Sequence, residues 1–446
     1  MSKTKFFRST AIALAVAGPM TAAMATNGMI LEGYGPISTG MGGASQAIDH
    51  GNAAMAQNPA TLSLAQDGSR LDVAVGMLGP KISATNAGGG VADSSGTAYM
   101  MPAVGYTRKA NGLVYGFGVY AVGGMGTEYS STSWVAMGSN KEVRSELGVG
   151  NLIFPVSYQV NSQLAIGGSV DFVWASMDLM MAVPTAALGP GGMLKSGSGN
   201  IWNGIQGGAM AGATWARIDF SDGDKYTGAA KANGFGGKLG ATYKVNDQVT
   251  VGGSYTLKTS LSDMQTASGS ASMSANSTTP FNDTGKITVQ NFQWPAITAI
   301  GASWQATPAV LVAADVKSIA WSEVMKDFKM RYDSAGVGGS LNLAMAQNWK
   351  DQTVLNLGAA WKATSELTLR AGMNIADNPV PDSTVSYLFP ATIKSHYALG
   401  AGYEFNKTSA INASYVMAPA VEVTDANGTK ISHAQANWQL MYSHRF

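Results

Sequence analysis

The chain has no cysteine, which removes disulfide scaffolds, thiol nucleophiles and thiolate metal sites together. Charge is scarce as well. Asp, Glu, Lys and Arg make up 12% of the 446 residues, roughly half the globular average of about 25%. The net charge of +1 leaves no bulk basic field for nucleic acid. No apolar run approaches the roughly 20 residues that a membrane-spanning helix needs. The four histidines (His50, His396, His433 and His444) are scattered without metal-ligand spacing. Neither a G-x-S-x-G nucleophile elbow nor a phosphate-binding G-x-x-x-x-G-K-[ST] loop occurs. The expectation is therefore a non-enzyme with no catalytic residues, no metal and no cofactor.

What the chain does have is glycine and alternation. Glycine occupies 55 positions, roughly 12% against an average of about 7%. From Gln248 to Lys258, Val249, Val251, Gly253, Tyr255 and Leu257 share one face and polar or small residues share the other. His396 to Phe405 repeats the pattern, with Tyr397, Leu399, Ala401, Tyr403 and Phe405 together. Leu367 to Ile375 does so again. Successive side chains on a strand point to opposite faces, so these segments read as strands with one apolar face. A soluble sandwich would bury that face, and a transmembrane barrel would turn it to lipid. Segment length, aromatics near segment ends (Trp174, Trp361, Tyr403, Phe405) and small residues on the polar face favour the barrel.

Connection lengths add to this. Short turns at Lys109–Gly112, Asn161–Gln163, Asn246–Gln248, Ala306–Pro308, Ala363–Glu366 and Asn406–Ser409 alternate with long links. That is the periplasmic and extracellular asymmetry of outer-membrane barrels. The expected fold is all-β: an antiparallel barrel of about 14 strands, an even number as bacterial barrels require. The chain ends Trp438, Leu440, Tyr442, His444 and Phe446 on one face, like an outer-membrane assembly signal; His444 stands where an apolar residue is usual.

Residues 1–25 read as a signal peptide. Lys3, Lys5 and Arg8 precede the apolar stretch Ala11–Ala17, and Ala23-Met24-Ala25 is a small-x-small cleavage site. Residues 26–68 break the strand pattern and are rich in Gly, Ala and Met. Pro59 can start a short helix there with Asn58 as its cap. This segment is expected to fold as a plug inside the barrel formed by residues 69–446.

Three ordered motifs follow the signal: Gly33-Tyr34-Gly35, Gly40-Met41-Gly42-Gly43-Ala44 and Asn58-Pro59-Ala60. Tyr120-Ala121-Val122-Gly123-Gly124-Met125-Gly126-Thr127-Glu128-Tyr129 and Asp377-Asn378-Pro379-Val380-Pro381 come later. Together these resemble the FadL family of outer-membrane channels for long-chain fatty acids and aromatic hydrocarbons, over essentially all the mature chain. The resemblance implies a 14-stranded barrel, a lumenal hatch carrying Gly42, Gly43, Asn58, Pro59 and Ala60, and a kink in the third strand. Gly123, Gly124 and Gly126 are the residues expected at that kink, where glycine would mark a bulge, a bend or a close backbone approach and would permit a positive φ. Substrate would be captured between loops, pass to a lumenal pocket and leave sideways into the membrane.

The link Ser176–Ala232 is unusually apolar. Met193, Leu194, Trp202, Ile205 and Trp215 are candidate capture residues, and Arg217 a candidate for a carboxylate head group. An equal reading is a loop packed on its own core. The expected partners are a hydrophobic small molecule, outer-membrane lipid and lipopolysaccharide, and the barrel assembly machinery through Phe446, with the chain a monomer. A general diffusion porin, an outer-membrane lipase and a structural barrel are the alternatives. The inward faces carry mostly small neutral residues, against a porin's charged constriction.

Overall fold

The computed structural model describes residues 26–446 except Pro190 and Lys225. The expected signal peptide lies outside the described residues. The wall is built from β1 (Gly68–Thr85), β2 (Tyr99–Ala110), β3 (Leu113–Tyr129), β4 (Val143–Gln159), β5 (Leu164–Pro184), β6 (Trp215–Phe220), β7 (Ala230–Lys244), β8 (Val249–Thr256) and β9 (Met264–Gln265). It continues with β10 (Ala271–Ala275), β11 (Phe281–Gln290), β12 (Ile297–Thr307), β13 (Val310–Ile319), β14 (Gln352–Lys362), β15 (Leu367–Ala376), β16 (Ser395–Glu404), β17 (Ser409–Thr424) and β18 (Lys430–Arg445). Every pairing is antiparallel, and β1 meets β18 from Arg70↔Arg445 to Thr85↔Lys430, which closes the barrel.

The ring has 18 strands, not the expected 14. The difference arises between β5 and β7. Near the periplasm these two pair directly, from Leu164↔Tyr243 to Met177↔Ala230. Beyond Met177 they part, and β5 pairs β6 instead, from Leu179↔Phe220 to Pro184↔Trp215. Strand β6 then pairs β10, β10 pairs β11, β11 pairs β9, and β9 returns to β7 at Gln265↔Lys231. Four short strands drawn from the long loops are thus spliced into the outer end of the wall. The expected count omitted them.

Short turns hold because asparagine supplies their hydrogen bonds. Asn161, Asn246 and Asn406 each accept two backbone N–H bonds through the side-chain oxygen, at 2.8–2.9 Å. Such turns mimic a backbone turn and fix the register of the hairpin. Asn111 and Gly112 both have positive φ, the two-residue turn whose twist matches that of the strands. Alternation does the rest. Tyr397, Leu399 and Tyr403 are 46%, 55% and 46% exposed on the outer face. His396 and Ala398, at the alternate positions, are buried toward the lumen.

Residues 26–67 precede β1 and lie almost wholly buried within the ring. They fold as α1 (Gly35–Gly40) and two 3-10 helices, Asn52–Ala56 and Pro59–Leu64. The second starts as its sequence suggests: Pro59 is at its first position, and the Asn58 side chain accepts from the Ala60 N–H at 3.1 Å. The same Asn58 amide donates to the Gln46 carbonyl and to the Ala241 carbonyl of the wall.

Candidate functional site

The third strand is where the wall opens. The ladder between β2 and β3 runs from Ala110↔Leu113 only to Val104↔Val119. Both strands continue outward, β2 to Tyr99 and β3 to Tyr129, without pairing. On its other side β3 stays paired to β4, with a register shift between Ala121 and Gly123. Val122 is the extra residue, a bulge that bends the strand. Beyond the bulge, β3 takes its hydrogen bonds from the N-terminal segment: Gly124 N–H donates to the Met29 carbonyl at 3.0 Å, and Leu31 N–H to the Val122 carbonyl at 3.4 Å. Further out, the Ser95 N–H donates to the Glu128 carbonyl at 2.8 Å and ties the two sides together again. A window therefore lies between residues 95–104 and 119–128, closed above and below.

A cavity of about 480 Å³ passes through this window. Its lining includes lumenal residues (Ile82, His433, Gln435) and residues of the outer face (Met100, Trp174). Apolar side chains dominate, with Leu78, Met101, Val119 and Leu147 among them. That size falls within the roughly 300–1,000 Å³ of ordinary small-molecule sites.

The glycines at the bend act by clearance. None of Gly123, Gly124 and Gly126 has a positive φ. A β-carbon at Gly123 would overlap the Met29 carbonyl and stand 2.8 Å from the Trp294 ring. At Gly124 it would overlap the Leu147 carbonyl of β4, and at Gly126 it would stand 2.7 Å from the Tyr99 hydroxyl. Gly42 and Gly43 differ from these: φ is +67° and +86°, and a β-carbon would collide with the wall at Met373 or with the Glu32 carbonyl.

The N-terminal segment is pinned to the wall by charged side chains. The Asp315 carboxylate accepts from the backbone N–H groups of Ser45 at 2.6 Å and Gln46 at 3.2 Å. The Lys317 ammonium donates to the carbonyls of Glu32 and Gly43. Arg70 grips Asp49 with two parallel bonds of 2.8 and 3.0 Å. Asp72 accepts from the Asn52 N–H at 2.7 Å. Buried charged groups are held by such bonds or not at all, so residues 26–67 fill the ring as a fixed body.

The predicted capture residues divide. Leu194 is buried, while Met193, Trp202 and Ile205 are partly buried and pack against the large apolar core of the loops. Trp202 and Ile205 lie on α2 (Gly199–Gln206), and Trp215 starts β6. Arg217 is fully buried. It binds Asp219 and donates to the Ser139 hydroxyl and to the carbonyls of Lys141 and Glu142. Its donors are committed, so it is not free to hold a carboxylate head group. Met177, Leu179, Met181, Ile218, Phe220, Met273 and Met330 are all buried in that core. This apolar link packs on its own core.

A closed β-barrel with its bore filled by its own N-terminal segment, and with a wall interrupted at one strand, is an outer-membrane transport protein rather than an open pore. The family model for outer membrane protein transport proteins (OMPP1/FadL/TodX) matches residues 13–443, and the chain belongs to that family. Its members are transport proteins of the Gram-negative outer membrane, not enzymes. The crystal structure of the Pseudomonas putida toluene transporter TodX is similar at 33% identity and a TM-score of 0.83, covering 93% of this chain and 99% of that one. The Ralstonia pickettii toluene transporter TbuX is similar at 28% identity and a TM-score of 0.78, with 93% and 99% covered. A Pseudomonas aeruginosa FadL homologue shares the fold at 16% identity and a TM-score of 0.67, with 94% and 99% covered. An uncharacterised protein of Chlorobium limicola, from the 5' region of a phosphoenolpyruvate carboxykinase gene, is 46% identical over 86 residues, 19% of this chain. That match spans 41% of the relative's length.

Proposed function

We propose that this protein is a passive channel that brings hydrophobic small molecules through the outer membrane and releases them sideways, through the window between β2 and β3. The observation that carries the reading is the single cavity lined from both faces of the wall. A lipopolysaccharide layer is polar and charged, so an apolar solute crosses it at a cost. A barrel that admits the solute at its loop end and opens into hydrocarbon bypasses that layer. No energy source is required, because the solute ends where it is most soluble. The likeness to two toluene transporters favours monoaromatic hydrocarbons over fatty acids as the substrate class, and the commitment of Arg217 to its own loop points the same way. On this reading residues 1–25 are a cleaved signal, residues 26–68 the hatch, and Met193, Trp202 and Ile205 flank the entry. Lipid and lipopolysaccharide surround a monomer whose Phe446 is read by the assembly machinery.

Deleting Val122 tests this. Without the bulge, β3 can pair with β2 beyond Val119 and seal the wall. Cells carrying the variant should insert it normally and lose most of their uptake of labelled toluene. If the variant has a continuous β2–β3 ladder and parental uptake, the exit is elsewhere and the hatch must move.

A further inference from the structure

We infer that Tyr99 is the bar across the lateral window and sets the size of molecule that passes. The inference rests on the lateral route proposed above. Tyr99 is the outermost residue of β2, opposite Leu78 of β1. It lies between the two places where the window closes, the Val104↔Val119 pair below and the Ser95–Glu128 bond above. Its neighbour Met100 is 38% exposed on the outer face, so Tyr99 itself points inward, and it lines the cavity that crosses the wall. From there the phenol reaches over the missing ladder. A β-carbon on Gly126 of β3 would stand 2.7 Å from the hydroxyl, and one on Gly96 would overlap it. The ring therefore spans the gap from one edge to the other, with its tip in a slot between two glycines.

Nothing fastens that tip. The hydroxyl is buried and has no hydrogen-bond partner among the described residues. A buried Tyr hydroxyl usually finds one. Here the side chain is held by shape alone, and swinging it out breaks no bond and frees a hydroxyl that burial has stripped of water. Any side chain on Gly96 or Gly126 would displace the ring, which gives both glycines a reason. The apolar wall around it, Met101, Met125 and Leu147, is flexible or smooth enough to let the ring turn.

The test uses the absence of cysteine. In Tyr99→Cys the new thiol is the sole target for alkyl methanethiosulfonates, and a reductant removes the label from the same folded protein. The measurement is initial uptake of naphthalene relative to benzene by cells carrying the variant. Unlabelled Tyr99→Cys should raise the ratio several-fold. A methyl label should leave it high, a benzyl label should bring it back toward the parental value, and reduction should raise it again. Tyr99→Leu and Tyr99→Ala should rank by side-chain volume. If the ratio ignores the label while deletion of Val122 still abolishes uptake, the lateral route stands and Tyr99 is not its bar. If deletion of Val122 also leaves uptake intact, the route itself fails and takes this inference with it.

Discussion

Replacing Leu399 with arginine asks whether the outer face of β16 meets hydrocarbon. Leu399 is 55% exposed on that face, between Tyr397 and Ala401. It pairs with Ala371 of β15 and Tyr415 of β17, so no charged neighbour stands opposite it. The strand ends at Glu404 beside the periplasmic turn. Five residues at about 3.3 Å each, along a strand tilted by about 40°, place Leu399 about 13 Å above that end. An outer-membrane apolar band is about 25 Å tall, so the side chain sits near its middle. Arginine there should destabilise the folded barrel by about 2–4 kcal/mol, and near an interface by about 0–1 kcal/mol. Ser395, on the same face at the other end of β16, provides the second position. Reversible unfolding from phosphatidylcholine vesicles in urea would measure both. Leu399→Arg and Ser395→Arg of equal stability would mean that this face is not in lipid, and the barrel would have to be reoriented.

Three further outcomes are expected. Mass spectrometry of the purified outer-membrane protein should find Thr26 as the first residue; a retained leader would overturn the signal reading. Arg217→Met should loosen the loop core by about 1–3 kcal/mol, because the half-buried Asp219 and the carbonyls of Lys141 and Glu142 lose their donor, and it should leave the uptake ratio of oleate to toluene where it was. Acid should loosen the segment around His50, which burial pushes down to about 4, whereas Glu32 of the same hatch, pushed up to about 7 by burial, is relieved as it takes up its proton. A histidine depressed in the folded state gives stability that is lost as pH falls from its ordinary value of about 6.5 to about 4, in all about 3 kcal/mol. Burial raises Asp49 and Arg70 outweighs it, so that its carboxyl stays well below the usual carboxylate range; its contribution is lost at still lower pH. Hydrogen exchange of residues 45–57 between pH 7 and pH 4 would follow this, and His50→Gln should flatten the upper part of the profile.

How much of this was legible in the chain depended on whether the cause was local. Strand faces are local, since a period of two at Leu399 or Val251 needs nothing but its neighbours. Asn246 and Asn406 build their turns from bonds two and three residues away, and the Asn58 cap is made within its own helix. All of these were readable. The four spliced strands were not. Strand β10 is five residues long and pairs Met273 with Ile218, a partner some fifty positions earlier with the whole β7–β8 hairpin between them. Strand β9 is two residues and exists only because β7 and β11 pass on either side. Arg217 fails as a head-group ligand for the same reason. Its acceptors at Lys141 and Glu142 are backbone atoms, which carry no residue-type signal at all.

The window shows where the two kinds of cause meet. Its glycines are visible in the sequence as a place for a bulge, a bend or a close approach, but not which atoms approach: the Met29 carbonyl, the Leu147 carbonyl and the Tyr99 ring. Clearance is a property of the neighbour, and the neighbour is far along the chain. One signal in the sequence did point at the hatch contacts. Asp315 and Lys317 are charges placed at inward parity on a strand whose inward face is otherwise apolar (Leu311, Ala313, Ile319). A charge pair two residues apart on a lumenal face has to be held by something inside the barrel. In a chain with charge this scarce, these two inward charges mark where the backbone of the segment is held. Arg70 and Asp72 on β1 repeat the same spacing and hold the same segment. Pairs of that kind tie the plug down from opposite sides of the bore, and that is the physical reason to look for the exit in the wall and not beneath the hatch.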